Sequence, residues 1–164
     1  MSFQVTGGRI LVGAIVGAVG WLLWRSTVKK KVFISYDHSE DVRYRNLLAA
    51  WDANTSFEFQ FDDRSPQEAI DSTSAGRIKA SLTTMMKSAQ YLLVIVGANS
   101  HTSKWMTWEI ERAKQPDIKL RLAAVKIDRG YPTPPGLLGV GTAMANTFER
   151  DGIVAALNSA TNIY

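Results

Sequence analysis

The stretch YLLVIVG, residues 91–97, decides the fold class of this chain. It is an unbroken run of apolar residues that ends on a glycine. A strand with no polar face is buried on both sides, which is typical of a central strand in a parallel sheet covered by helices. We therefore predict a central parallel strand at this position.

Strand-like and helix-like segments alternate on both sides of this run. Further strands are predicted at KVFISY (31–36), FEFQF (57–61) and LRLAAVKID (120–128). Helices are predicted around an inner face of Leu47, Leu48 and Trp51, and at 77–88, 103–115 and 152–163. This alternation predicts an α/β domain with a right-handed parallel sheet flanked by helices.

Ligand sites in such sheets lie in the loops that follow the carboxyl ends of the strands. Those loops are SYDHSED (35–41), DDRS (62–65) and GANSHTSKW (97–105). Neither the glycine fingerprint of dinucleotide-binding folds nor a P-loop is present. A response-regulator receiver domain is disfavoured, because its acceptor aspartate would end the third strand, where this chain has Gly97-Ala98-Asn99.

The helix predicted from SHTSKWMTWEIERAKQ, residues 100–115, places one acid among apolar residues. At 100° per residue a single arc holds Trp105, Glu109, Ala113, Met106 and Ile110. Glu111 falls on the opposite, polar side. Two interpretations are open: Glu109 faces the ligand crevice, or it is a structural acid paired with Arg112 or Lys104 near the positive end of the helix dipole.

Composition limits the chemistry that this chain can perform. It has no cysteine, and two isolated histidines, His38 and His101, are too few for a histidine metal cluster. Five of the 19 basic residues lie in residues 1–31, which leaves 14 basic residues against all 15 acidic ones in the remainder. The nearly neutral remainder gives little support to nucleic-acid binding, and no metal site is predicted.

The N-terminal segment RILVGAIVGAVGWLLWR, residues 9–25, is predicted to be a membrane anchor. Its uncharged core (10–24) reaches bilayer-spanning length when the flanking residues are added. A cleaved signal peptide would need a small-residue cleavage site, and a buried helix of a globular domain would need a polar face. The segment has neither feature, which disfavours both alternatives. Basic residues at 25 and 29–31 predict a single-pass inner-membrane protein with residues 1–29 as anchor and juxtamembrane segment. Residues 30–164 would then form a cytoplasmic domain. Gly13 and Gly17 form a GxxxG pattern that would let two anchors pack closely.

Four stretches in order resemble the TIR-like domains of bacterial antiphage defence, of the Thoeris ThsB type. They are KKVFISYDHSEDVRY (30–44), FDDRSPQEA (61–69), IKASLTTMMKSAQYLLVIVGANSHTSKWMTWEIERA (78–113) and LRLAAVKID (120–128). The resemblance implies a flavodoxin-like TIR fold. It also implies an NAD-consuming activity, of the NAD glycohydrolase or ADP-ribosyl cyclase type, that makes a nucleotide signal for a separate defence effector.

The most specific part of the resemblance is the S-x-W-x-x-x-E motif formed by Ser103, Trp105 and Glu109. By this match Glu109 is the catalytic residue. Residues implied to bind substrate are Ser35, Tyr36, Asp37, Asp62, Asp63, Ser103 and Trp105. NAD is the implied substrate, and no other cofactor is expected.

The N-terminal anchor departs from the family pattern, and it keeps a second function open. TIR domains also act as assembly modules, so a membrane-tethered domain of this type is alternatively a non-enzymatic sensor or scaffold. The partners expected are NAD, further copies of the chain, a defence effector or sensor protein and the membrane.

Overall fold

The computed structural model describes residues 28–39, 41–54, 57–62 and 69–164. Residues 1–27, which hold the apolar stretch of the predicted anchor, and the predicted site residue Asp63 lie outside the described residues. Among the residues described, no helix is both long and apolar enough to cross a membrane.

The described residues form a five-stranded parallel sheet in the order β2-β1-β3-β4-β5. The strands are β1 (Lys30–Ser35), β2 (Phe59–Asp62), β3 (Tyr91–Val96), β4 (Arg121–Lys126) and β5 (Ala143–Ala145). The helices are α1 (Val42–Asp52), α2 (Ala75–Ser88), α3 (Lys104–Ala113) and α4 (Arg150–Ser159), with a short 3-10 helix at Pro135–Leu137. The predicted parallel α/β architecture is confirmed.

The central strand β3 is buried over its whole length, as its unbroken apolar run predicts. One face of the sheet packs on α1 and α4, where Leu48 and Leu157 are fully buried. The other face packs on α2, α3 and the 3-10 helix, through residues such as Met86, Ile110 and Leu137. The sheet therefore lies between two layers of helices.

Alternation along β1 fixes which side chains reach α3. Val32, Ile34 and Tyr36 belong to the core on the α1 and α4 side, whereas Phe33 belongs to the core on the α2 and α3 side. Successive side chains of a strand point to opposite faces, so Ser35 shares the face of Phe33. This parity turns the last residue of β1 towards α3.

Some predicted elements differ from the structure. Leu47 was predicted on the inner face of α1, but it is exposed and Leu48 alone is fully buried there. The closing helix was predicted at 152–163, but α4 spans Arg150–Ser159, because Thr161 leaves the helix to form a bridge with Leu122. Strand β5 was not predicted, since its three residues carry no strand pattern that the sequence can show.

Candidate active site

The candidate site lies where the strand order changes direction. Strand β1 is followed in the sequence by β2 on one side of it and is bordered by β3 on the other. In open α/β sheets of this order, the crevice between β1 and β3 at their carboxyl ends is where ligands bind. Ser35 ends β1 and Gly97 directly follows β3, so these two residues border the crevice.

Glu109 is held at this crevice by α3, on the face predicted for it. Its neighbours along the helix face, Met106, Ile110 and Ala113, are fully buried, and Glu109 itself is only 1% exposed. Ser35 Oγ donates a hydrogen bond to Glu109 Oε2 at 2.5 Å. The structure therefore brings together two residues that lie 74 positions apart in the sequence and that were both predicted for the site.

The second oxygen of this carboxyl group, Glu109 Oε1, is buried and has no hydrogen-bond partner among the described residues. Leaving a buried polar atom unpaired costs about 1–3 kcal/mol. Native proteins keep few such atoms, and a catalytic role is one explanation for those they keep. Glu109 Oε1 is therefore a buried polar atom whose hydrogen bond a bound molecule can supply.

Burial dominates the ionisation of Glu109. It raises the pKa of this carboxyl group to about 8, and the Ser35 hydrogen bond opposes the rise only in part. Most of the Glu109 side chains are therefore protonated at neutral pH. A buried acid with a displaced pKa beside a ligand crevice is a recognised mark of a functional site.

Within the described residues Glu109 forms no salt bridge with Arg112 or Lys104, the pairing that the structural interpretation requires. Arg112 instead forms a bidentate pair with Asp117, both contacts at 2.7 Å. Glu111, the acid on the polar side of α3, pairs with Lys114 at 2.7 Å and remains exposed. The contrast predicted between the two glutamates is confirmed.

The loop after β1 contributes Tyr36 and Asp37. Tyr36 is buried, and Arg45 Nε donates a hydrogen bond to its hydroxyl at 3.5 Å. Asp37 is half-buried, and its Oδ1 accepts hydrogen bonds from the backbone N–H and the hydroxyl of Ser39. These bonds shape the loop that leads into α1, next to Ser35.

Ser103 and Trp105 lie at the start of α3. Ser103 caps the helix, because its Oγ accepts the Met106 N–H at 3.5 Å. Trp105 is half-buried, and its ring is nearly perpendicular to that of Trp108 at a centroid distance of 5.9 Å. Both residues are on the helix that carries Glu109, and their contact with substrate stays a prediction.

Asp62 lies on β2, the outer neighbour of β1 in the sheet. It ends β2 opposite Phe33, two residues before Ser35, and its side chain is exposed. The Asp62 side chain makes no hydrogen bond or ion pair within the described part of the chain. Its role, like that of Asp63, stays a prediction.

Two buried groups at this edge were not singled out from the sequence. The Asp41 side chain is 3% exposed and packs on Gly97, where an added Cβ would lie 2.4 Å from Asp41 Oδ2. Ser100 Oγ accepts the Gly97 N–H at 2.8 Å and donates to the Ile95 carbonyl at 3.2 Å. Gly97 thus brings the loops after β1 and β3 into contact. The only sequence signal for this contact is that these residues follow strands.

His38, one of the two isolated histidines, also belongs to this loop region. Its ring centroid is 6.1 Å from that of Tyr36, and its Nδ1 is buried without a hydrogen-bond partner in the described residues. No group of three or more potential metal ligands occurs in the part of the chain that the structure describes.

Comparison with known proteins agrees with this geometry. Residues 33–130 match the family model described as "Thoeris protein ThsB, TIR-like domain". This range begins within β1 and runs past the end of β4, and it includes Ser35 and Glu109. No curated protein matches the chain. Because the matched range covers more than half of the sequence, the chain belongs to the Thoeris ThsB TIR-like domain family.

Proposed function

We propose that this protein cleaves the nicotinamide–ribose bond of NAD in antiphage defence, with Glu109 as the catalytic carboxylate. Membership of the ThsB TIR-like family supports the defence role, and TIR-like domains often cleave NAD. The observation that carries the proposal is the buried Glu109 Oε1, which has no partner in the described residues and lies beside the β1–β3 crevice.

The reaction needs a negative charge close to the ribose. When the bond between ribose C1′ and the nicotinamide nitrogen breaks, its electron pair leaves with nicotinamide and positive charge develops on the ribose ring. An ionised Glu109 stabilises that charge, and apolar neighbours such as Met106 strengthen the effect by excluding water. A nucleophile then bonds to C1′ and gives up a proton; water yields ADP-ribose, and a group of the nucleotide itself yields a cyclic product.

Substrate binding changes the charge state of Glu109 in the required direction. NAD carries a positive charge on its nicotinamide ring, and an opposite charge within a few ångström lowers the pKa of a carboxyl group. The resting enzyme keeps Glu109 mostly protonated, with a pKa of about 8. Bound NAD favours loss of this proton, so Glu109 becomes a charged carboxylate when the substrate binds. Because Glu109 is buried, the crevice must also open before NAD can reach it.

The other predicted site residues have roles that fit this position. Ser35 orients Glu109 through its hydrogen bond. Trp105 offers an aromatic face to a ring of the substrate, and the loop residues Tyr36 and Asp37 border the ribose side of the crevice. The product is proposed to signal to a separate effector protein.

The N-terminal segment is proposed to hold this domain at the inner membrane, with the domain in the cytoplasm. The support is its uncharged stretch at 10–24 and the basic residues at 25 and 29–31 that follow it. Anchors that pack through Gly13 and Gly17 would bring two domains together, which favours the self-association expected of TIR-like domains.

The decisive experiment compares Glu109→Gln with Glu111→Gln in the full-length protein. Nicotinamide release from NAD is measured with and without extract of phage-infected cells, because domains of this kind are often silent until triggered. Loss of the catalytic carboxylate is expected to lower the rate by at least about 10²–10³-fold. Glu111 is exposed on the same helix, so its variant should keep the wild-type rate.

A pH profile of the same reaction tests the ionisation step. If the carboxylate form is required, kcat/KM should rise with pH through the free-enzyme pKa of about 8. The Ser35 hydrogen bond lowers that pKa, so Ser35→Ala should move the rising limb to higher pH. A profile that Ser35→Ala leaves in place would show that another group controls the rate.

The competing function is a non-enzymatic sensor or scaffold that signals by assembly. It predicts no nicotinamide release in any assembled or triggered state, and defence that survives Glu109→Gln. Observation of both results would replace the enzymatic proposal by the scaffold.

A further inference from the structure

The edge of the sheet opposite the candidate site has a surface chemistry of its own. The strands are parallel, so their first residues lie along this edge, among them Lys30, Tyr91 and Arg121. The chain terminus joins them there, because Thr161 bridges to Leu122 and Asn162 Nδ2 donates to the Lys119 carbonyl at 3.2 Å. We call this surface, formed by residues 28–31, 90–91, 119–121, 138–141 and 161–164, the amino edge.

Large apolar side chains are exposed along the amino edge. Val28 is 90% exposed, Ile163 81% and Leu138 61%. The loop that carries Leu138 runs beside the terminus, since a Cβ at Gly141 would lie 3.8 Å from the Ile163 carbonyl oxygen. Single exposed apolar residues are ordinary, but several on one surface indicate that something covers them.

Basic side chains surround these apolar groups. No ion pair within the described residues involves Lys31, Lys119 or Arg121. The nearby acids are paired with other lysines, Asp52 with Lys29 and Glu58 with Lys30. Lys30 and Arg121 also line an open cavity of about 370 Å³. Its remaining lining residues are Gln90, Tyr91 and Asn162. Ammonium, guanidinium and amide donors around one cavity suit an anionic oxygen group such as a phosphate.

The N-terminal segment enters the domain at this same edge. Lys29 is fixed there by its salt bridge to Asp52 at 2.8 Å, and Trp24 ends the uncharged stretch five residues earlier. Five residues span at most about 18 Å when fully extended. If residues 10–24 cross a bilayer, the amino edge therefore lies close to the membrane surface.

We propose that the amino edge docks on an anionic lipid surface. Val28, Leu138 and Ile163 enter the interface, while Lys31, Lys119 and the cavity between Lys30 and Arg121 receive headgroup phosphates. This inference rests on the membrane attachment proposed above. Docking turns the carboxyl ends of the strands, and with them Glu109, away from the membrane and towards the nucleotide pool.

The absence of cysteine from the sequence permits a direct test with single introduced labels. Ile163→Cys places a nitroxide on the amino edge, and His101→Cys places a matched one on the exposed loop after β3. Full-length protein is reconstituted in vesicles of phosphatidylcholine alone or with 30% phosphatidylglycerol. The accessibility of each label to oxygen and to a water-soluble relaxation agent is then measured, as is flotation at high salt.

Docking predicts that the label at 163 gains oxygen contact and loses water contact in the acidic vesicles, while the label at 101 stays in water. The substitutions Lys31→Gln and Lys119→Gln each remove one positive charge. Each should lower the ratio of docked to undocked protein about fivefold. The matched variant Arg129→Gln, at the opposite edge of the sheet, should leave the ratio unchanged.

The remaining outcomes separate the docking from the anchor. Flotation at high salt with both labels in water overturns the docking and leaves the anchor. A third outcome is flotation that occurs only with acidic vesicles and is lost at high salt, with the label at 163 immersed in lipid. This outcome supports the docking and overturns the proposed anchor. Absence of flotation with either vesicle overturns both. If the label at 163 is shielded from both oxygen and water in both vesicle types, the docking on lipid is overturned. The amino edge then contacts a second copy of the protein.

Discussion

Acidic side chains near the two edges of the sheet differ in burial and in pairing. At the carboxyl edge, Glu109 is 1% exposed, accepts one hydrogen bond and has no basic partner in the described residues. Next to the amino edge, in the loop that leads into β4, Asp117 is exposed and held by Arg112 in a bidentate pair. The exposed pair costs the fold little and contributes little, whereas the buried acid opposes folding at neutral pH. An unfavourable group that the fold retains points to function.

Replacement of the buried acid should give the largest effect on this contrast. The pKa of Glu109 is about 8 when folded and 4.5 as its ordinary value, so between these values the folded state holds a proton that the unfolded state has lost. The free energy of unfolding therefore falls as pH rises, by about 1.4 kcal/mol per pH unit from this group. Glu109→Gln removes that slope. We expect the variant to exceed wild type in stability by a few kcal/mol at pH 8 and to approach it near pH 4.5.

Urea unfolding at several pH values measures this difference. Glu111→Gln is the matched control, because Glu111 is exposed on the same helix and pairs only with Lys114. Its effect should stay within about 0.5 kcal/mol at every pH. A Glu109→Gln curve parallel to that of wild type would mean that the carboxyl group is not buried in solution.

The contact between the loops of the carboxyl edge should give the next largest effect. A Cβ at Gly97 would lie 2.4 Å from Asp41 Oδ2, so Gly97→Ala forces the buried Asp41 to move. We expect a loss of about 1–3 kcal/mol in unfolding free energy. Gly76→Ala is the matched control, because nothing lies within 4 Å of its added Cβ and Gly76 is helical. That variant should gain up to about 1 kcal/mol, and equal losses in both would contradict the contact.

The exposed pair next to the amino edge should give the smallest effect. Arg112 and Lys87 hold the pKa of Asp117 well below its ordinary value of 3.8. A lowered pKa contributes stability above the ordinary pKa, and this contribution is lost as the pH falls towards the folded value. Asp117→Asn should therefore lower the melting temperature slightly at pH 7 and low salt, and the difference should vanish in 1 M NaCl. A loss that persists in salt would mean that the pair has a structural role.

The sequence predicts the features that depend on a regular pattern. The apolar run of β3 indicates a central strand, and the helical spacing around Trp105 separates Glu109 from Glu111; the structure confirms both. The position of the candidate site is likewise a prediction from the sequence, because parallel strands bring the loops after them to one edge.

Features that depend on contacts between distant segments were missed. The three residues of β5 become a strand only by pairing with β4, and the end of α4 depends on the bridge between Thr161 and Leu122. The contact of Asp41 with Gly97 joins two loops, and no local pattern announces it. Leu47 shows the converse error, since an apolar residue next to the buried Leu48 was assigned to the same face although one helical step turns it away.

The outer strands limit how copies of this domain can join. Strand β2 has four residues and β5 has three, so neither outer strand offers a long row of free backbone groups to a neighbouring chain. Short outer strands protect a sheet from continuing into the next molecule. An oligomer of this protein is therefore expected to form through helices and loops, and it can come apart again without any backbone hydrogen bond of the sheet being exchanged.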